Sequence, residues 1–311
     1  MSTITQRAFR FGVVAAHVQS RADWIAKARK VEELGYDSFL VVDHLTASLG
    51  PLVALTVAAE ATQKIKLGSY VFCNDFRHPA VLAKEISTFD VLFEGRFELG
   101  LGAGYLPTDY HKSGLSFDSA GVRLSRFEES IHILKKLWGE EAVTFRGDYY
   151  SITDLQGMPK PLQKPHPPIY IGGGGKRVLS FAAREADIVG IAHKSGPKGL
   201  NLEDTTAEAT AQKIAWVREA AGERFNDLEL SCKLFQVVVT DHRAQAAQKV
   251  GSRFGLSETQ SLSSVQLLFG TVEQIVEELW TRRKNYGFSY IVIPDDHIDA
   301  FAPIVSRLAG K

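Results

Sequence analysis

Short, continuously apolar runs rich in β-branched and aromatic residues alternate with longer stretches whose apolar residues recur every three to four positions, almost from one end of the chain to the other. Eight runs read as strands: Phe9 to Ala15, Ser38 to Val42, Ile65 to Phe72, Phe97 to Leu101, Pro168 to Gly172, Asp187 to Ala192, Leu230 to Val239 and Tyr290 to Ile293. Runs such as Phe39-Leu40-Val41-Val42 and Ile291-Val292-Ile293 show no alternation, as expected of strands covered on both faces. Three helix starts carry capping-box punctuation: Ser20 with Asp23, Ser125 with Glu128, and Thr271 with Gln274. The first helix places Trp24, Ala28, Val31 and Leu34 on one face and stops at Gly35. The second buries Ile131, Leu134 and Leu137, and the third closes at Gly287.

Repeated strand–helix alternation predicts a parallel α/β sheet closed as a (β/α)8 TIM barrel. No Ser/Gly linker or composition shift divides the chain, so residues 1–311 are expected to form a single domain with insertion segments near 139–167 and 255–270. The first insertion is rich in proline (Pro159, Pro161, Pro165, Pro167). Long connections of this kind are either functional lids or surface padding.

Composition narrows the function classes. Lys plus Arg and Asp plus Glu stand at 36 each, so no net field favours nucleic acid or an anionic membrane. No apolar run approaches the ~18–20 residues of a membrane span. The two cysteines, Cys73 and Cys232, build no disulfide framework and the first residues lack a signal-peptide pattern, which together predict a cytoplasmic protein. The nine histidines contain neither HxH nor HxxxH, the cysteines lie far apart, and no GxSxG elbow occurs, so neither a metal site nor a serine hydrolase is expected.

Candidate chemistry gathers just after the predicted strands, where barrel active sites lie. Asp43-His44 follows the second strand; a carboxylate beside an imidazole suits acid/base work, although the pair also suits a helix cap. The third strand runs into Cys73, Asn74, Phe76 and Arg77-His78-Pro79, and the fourth into Gly100-Leu101-Gly102-Ala103-Gly104-Tyr105. Alternating glycines there suit either the approach of a flat ligand or tight packing. Gly172-Gly173-Gly174-Gly175-Lys176 leads into a helix and suits an anion held by bare N–H groups, or a tight turn; it matches neither a Walker A loop nor a dinucleotide fingerprint. His193-Lys194 follows the sixth strand and Pro294-Asp295-Asp296-His297 the eighth.

Four segments carry a family resemblance: Gly35-Tyr36-Asp37-Ser38 leading to Asp43-His44; Phe76-Arg77-His78-Pro79-Ala80-Val81; Gly95-Arg96-Phe97-Glu98-Leu99-Gly100-Leu101-Gly102-Ala103-Gly104; and Pro168-Ile169-Tyr170-Ile171-Gly172-Gly173-Gly174 followed by Ala186-Asp187. In this order they resemble the bacterial luciferase-like oxidoreductases, and within them the branch that uses the deazaflavin F420. The resemblance implies hydride transfer between the deazaflavin C5 and a small organic substrate, as reduction of an activated C=C or C=N bond. The alternatives are an FMN-dependent luciferase-like monooxygenase fed by a reductase, or a non-catalytic cofactor-binding member. It further implies His44 as acid/base, oriented by Asp43, and cofactor contacts at Ser69, Tyr70, Phe72, Ala103, Gly104, Gly172, Gly173, Gly174, Gly175 and Lys176. Substrate contacts fall at Phe76, Tyr105, His193 and Lys194. The family's non-prolyl cis peptide would fall at Ser69-Tyr70. The sugar-phosphate dehydrogenases of the family carry glutamate and threonine where this chain has Tyr105 and Ala103, which counts against glucose 6-phosphate. Tyr105 is left to donate a proton or to line an apolar pocket with Phe72 and Phe76. A homodimer through helices 2 and 3, and a separate cofactor-regenerating reductase, complete the expectation.

Overall fold

The computed structural model describes residues 7–46, 49–196, 199–200 and 202–311. The fold is the (β/α)8 TIM barrel expected from the sequence. Its strands are β1 (Arg10–Ala15), β2 (Ser38–Val41), β3 (Lys66–Ser69), β4 (Phe97–Gly102), β5 (Ile169–Gly173), β6 (Ile188–Ile191), β7 (Glu229–Lys233) and β8 (Phe288–Pro294). Every residue of β2, β4 and β6 is buried, the reason these runs lack polar alternation. The chain divides into two compact units, one of residues 1–15, 29–39 and 172–311, the other of 16–28 and 40–171.

In the unit containing both ends of the chain, β8 lies parallel between β1 and β7, and β6 pairs with the other side of β7. Helices Lys176–Glu185, Ala207–Ala221, Val272–Tyr286 and Ile298–Leu308 accompany these strands. Thr271 and Gln274 form the expected capping box, and Gly287, at φ +81°, ends the helix in the left-handed region. The run expected as one strand over Leu230 to Val239 is two. The chain leaves β7 after Lys233, and Gln236–Val239 pairs instead with Leu267–Gly270, a strand the sequence reading left inside an insertion. Leu267 and Phe269 thereby bury against Ala247, Val250 and Leu256 in a small core of their own.

In the other unit, β4 lies parallel between β3 and β5. A two-residue continuation of the β3 segment, Phe72–Cys73, pairs with Leu101–Gly102. Helices Pro51–Ala61, Pro79–Leu92, Pro107–Ser113 and Ala120–Trp138 belong to the same unit, the first before β3, the second between β3 and β4, and the last two after β4. The last starts one turn and a half before the Ser125 expected to open it, because Ser119 caps it through the Val122 N–H; Ile131, Leu134 and Leu137 are buried as expected. Segment 139–167 contains an antiparallel hairpin, Val143–Arg146 with Ser151–Leu155. Glu129 docks it by accepting from the N–H groups of Asp148, Tyr149 and Tyr150 at 2.8–3.2 Å. Cis peptides occur at Met158-Pro159 and Lys164-Pro165.

Candidate active site

His44 follows β2 and is partly exposed, with 28% of its side chain accessible. Its Nδ1 lies 2.8 Å from Oδ2 of Asp109, a residue only 3% exposed. The other carboxylate oxygen accepts from the Thr46 N–H at 3.2 Å and the Thr46 hydroxyl at 3.0 Å. Asp109 reaches this position because Pro107 opens a short helix after β4, ended by Gly114 in the left-handed region. A carboxylate only accepts hydrogen bonds, so the proton on neutral His44 resides on Nδ1 and Nε2 presents its lone pair. The Tyr105 hydroxyl stands 3.5 Å from Nε2, with the two rings edge-on at 80° and their centroids 5.8 Å apart.

Asp43 does not orient His44, contrary to the sequence expectation. Consecutive residues of an extended segment point to opposite sides. Asp43 instead takes both arms of the Arg77 guanidinium at 2.5 and 3.1 Å and accepts from the Cys73 N–H at 3.0 Å. Arg77 in turn lies 4.7 Å over the Phe72 ring, which is completely buried. Phe72 therefore offers no surface to a ligand and does not line a pocket with Tyr105. Phe76 packs against Tyr110 instead, at 5.7 Å between centroids, on the wall of a cavity of about 440 Å³ that includes Asn74, Tyr110, Arg126 and Tyr150. Tyr110 donates to Asp75 at 2.8 Å and its oxygen lies 3.3 Å from the Cys73 sulfur.

The non-prolyl cis peptide is Tyr70-Val71, one residue later than expected. Ser69 is buried, its hydroxyl donating to the Gly100 carbonyl and accepting from the Gly100 N–H. Tyr70 and Tyr170 share a hydroxyl–hydroxyl hydrogen bond of 2.8 Å. Gly100 in β4 and Gly104 just after it sit where the backbone is closely approached. A Cβ at Gly100 would lie 2.0 Å from the Ser69 carbonyl oxygen, and one at Gly104, where φ is +76°, would lie 1.9 Å from the Tyr110 hydroxyl. Ala103 is half-buried beside them.

In the other unit, the glycine run after β5 splits its duties. A Cβ on Gly173 would strike Val178, and one on Gly174 would lie 2.4 Å from the His193 carbonyl carbon, so Gly174 admits the backbone of His193-Lys194. Gly175 has nothing within 4 Å of that position and caps helix Lys176–Glu185 with extended backbone and no side-chain cap. That open, side-chain-free helix start, with Lys176 as its first residue, fits an anionic group. The Lys176 ammonium lies 3.3 Å from Glu219 in an exposed pair that a bound anion can displace at little cost. His193 packs on Phe235 and is held below the ordinary imidazole range, chiefly by burial. Lys194 is exposed, and its backbone N–H donates to Asp204 at 2.7 Å. Among the described residues no group of three or more His, Cys, Asp or Glu could hold a metal ion, and no helix is long and apolar enough to cross a membrane.

Asp109 and Thr46 are absent from the residues the sequence points to, and Arg77 appears there after the third strand without a role. Leu106-Pro107-Thr108-Asp109, with proline opening a helix and an acid in its first turn, was the available signal for Asp109. Nothing in the sequence says which imidazole it meets.

A (β/α)8 barrel with a carboxylate-held histidine after its second strand has the polar strand-end chemistry of a barrel enzyme. The luciferase-like monooxygenase family model matches residues 8–306, and the chain belongs to that family. It is 30% identical over 268 residues, 83% of this chain and 77% of the relative, to the F420-dependent glucose-6-phosphate dehydrogenase of Amycolatopsis mediterranei. Among solved structures, an F420-dependent secondary alcohol dehydrogenase in complex with an F420-acetone adduct superimposes with a TM-score of 0.77 at 18% identity, covering 97% of this chain and 99% of that one. The monooxygenase RslO1 from Streptomyces bottropensis gives 0.74 at 20% identity, covering 96% and 98%. These two structural likenesses are likenesses of fold.

Proposed function

We propose that this protein is an F420-dependent oxidoreductase that moves hydride between C5 of the deazaflavin and a small organic substrate. The observation that carries the reading is the His44–Asp109 pair, in a chain whose relative at 30% identity is named as F420-dependent. Bound F420 supplies the two-electron hydride carrier, and the chain supplies position and a proton. Asp109 fixes the imidazole so that Nε2 can take up or return one proton during turnover. Gly175 and Lys176 would receive the anionic end of the cofactor; Tyr70, Ala103 and Gly104 are the proposed contacts to its ring.

The test is a side-by-side titration with F420 and FMN, reading fluorescence quenching together with oxygen uptake. Saturable quenching by F420, with no oxygen consumed by the reduced complex, supports the reading. Preferential FMN binding with oxygen uptake replaces it with the monooxygenase alternative.

We further propose a cytoplasmic homodimer joined through helices Pro51–Ala61 and Pro79–Leu92, with reduced cofactor regenerated by a separate enzyme. Val53, Leu92 and Val81 on these helices are 74%, 66% and 53% exposed, apolar surface that a subunit contact would cover. Light scattering that returns only the monomer mass, about 34 kDa, overturns the dimer.

A further inference from the structure

We propose that the cavity of about 440 Å³ beside the loop after β3 is a second binding site, one that takes a zwitterion with an aromatic body: an aromatic amino acid. Neither His44 nor Tyr105 lines it, so the site stands whether or not the hydride-transfer reading does.

A row of ion pairs, Asp75–Arg126–Asp118, runs along its wall. Arg126 Nε lies 2.8 Å from Asp75 Oδ1, and Nη2 lies 3.1 Å from Asp75 Oδ2 and 2.9 Å from Asp118 Oδ2. The Tyr110 hydroxyl also donates to Asp75, so that carboxylate is engaged on both oxygens. Two polar atoms of the row are not. Arg126 Nη1 and Asp118 Oδ1 have no hydrogen-bond partner, and neither is sealed from solvent. One ion pair therefore offers an incoming molecule a cationic donor and an anionic acceptor side by side. A simple anion drawn to the guanidinium meets the repulsion of the carboxylate, and a simple cation meets the reverse. A molecule with both charges satisfies both atoms, its carboxylate on Nη1 and its ammonium on Oδ1. The other guanidinium of the lining, Arg77, spends both arms on Asp43.

The remaining walls suit a ring. Phe76 and Tyr110 meet there at 5.7 Å between centroids, and His78 stands edge-on to Tyr150 at 5.3 Å. Leu115, which also lines the cavity, is 40% exposed, apolar surface that a ligand's body would cover. Asn74 aims its amide into the same space. That side chain is 2% exposed, and its Nδ2 reaches the Tyr150 hydroxyl at 3.2 Å, while Oδ1 has no partner. An unpaired buried amide oxygen is costly, and an ammonium has three hydrogens with which to meet both it and Asp118. The volume falls within the range of about 300–1,000 Å³ usual for small-molecule sites. Tyr110 follows Asp109 on the short helix after β4, so an occupant rests against the element that holds His44.

The test is isothermal titration of the full chain with four probes: L-phenylalanine, phenethylamine, 3-phenylpropanoate and glycine. Phenethylamine lacks the carboxylate, 3-phenylpropanoate the ammonium, and glycine the ring. L-Phenylalanine should bind at least about tenfold tighter than each of the others. Asp118→Asn keeps an oxygen for Arg126 but turns an amide N–H2 toward the ammonium. D118N should weaken L-phenylalanine about tenfold or more and leave 3-phenylpropanoate within about twofold. In ¹⁵N spectra of wild type, the L-phenylalanine shifts should gather in residues 74–78, 115–118 and 147–150, with F420 present or absent. Phenethylamine or 3-phenylpropanoate binding as tightly as L-phenylalanine overturns the zwitterion class, and glycine doing so overturns the aromatic body. No saturation by any probe below about 10 mM overturns the site. Shifts centred on His44, or L-phenylalanine displaced by F420, overturn its separateness from the active site. The spectra decide the location even where D118N does not fold.

Discussion

Asp109 holds His44 across 65 residues of chain, by a 2.8 Å hydrogen bond to Nδ1, while the adjacent Asp43 faces away and grips Arg77. Two carboxylates within reach of one site thus have separable duties, one fixing a tautomer and the other fixing the loop after β3.

The separation is measurable by substituting each acid in turn. D109N should lower turnover by about 10²-fold or more, because an amide can donate to Nδ1 and favour the wrong tautomer, with little loss of F420 affinity. D43N should leave Arg77 half-paired in a largely buried setting and cost about 2–4 kcal/mol of stability. Urea denaturation and steady-state rates on the two variants check this; equal effects on both readouts would remove the distinction.

Gly174 and Gly175 are neighbours with opposite tolerance. An alanine at 174 collides with the His193 backbone and should cost about 1–3 kcal/mol. Alanine at 175 meets no atom and, with φ at −95°, suffers no strain, so its stability should stay within about 0.5 kcal/mol of wild type. If the uncapped helix start receives the cofactor's anionic end, G175A should still weaken F420 binding, read by fluorescence titration.

Both thiols should be silent in the native protein. Burial pushes Cys73 up to about 11 and Cys232 up to about 12, leaving little thiolate at pH 8. A chromogenic disulfide reagent should therefore label neither thiol until guanidinium is added, and then both. Rapid native labelling of either one contradicts their placement.

Acid should destabilise the fold partly through His193. Burial holds its pKa below the unfolded value of 6.5, so between that value and its folded pKa the unfolded chain binds a proton that the native state refuses. Its contribution is unchanged above pH 6.5 and is lost as pH falls through the folded pKa. Urea midpoints for wild type and H193Q, compared at pH 7 and pH 5, should show a smaller drop for the variant.

The barrel was legible because strand burial on both faces writes itself as unbroken apolar runs, and because Thr271 with Gln274 and Gly287 punctuate a helix locally. Strand boundaries failed where a distant partner decides them. Residues 236–239 look like a continuation of β7, and only the presence of Leu267–Gly270 draws them away. The site shows the same division. His44 stood out by its place after a strand, whereas its partner comes from a helix after β4, and a side-chain hydrogen bond between distant elements leaves no local pattern. Phe72 departs from expectation for a related reason: an apolar residue at a strand end reads alike whether it faces a ligand or lies under an arginine.

The short helix after β4 has a consequence for how such proteins diverge. Tyr105 and Asp109 sit four positions apart on one contiguous stretch that ends at Gly114, while the imidazole they flank belongs to a different loop. One exchanged cassette of about ten residues would replace both neighbours of the histidine at once and leave the barrel staves untouched, so new proton chemistry can be inherited as a single block.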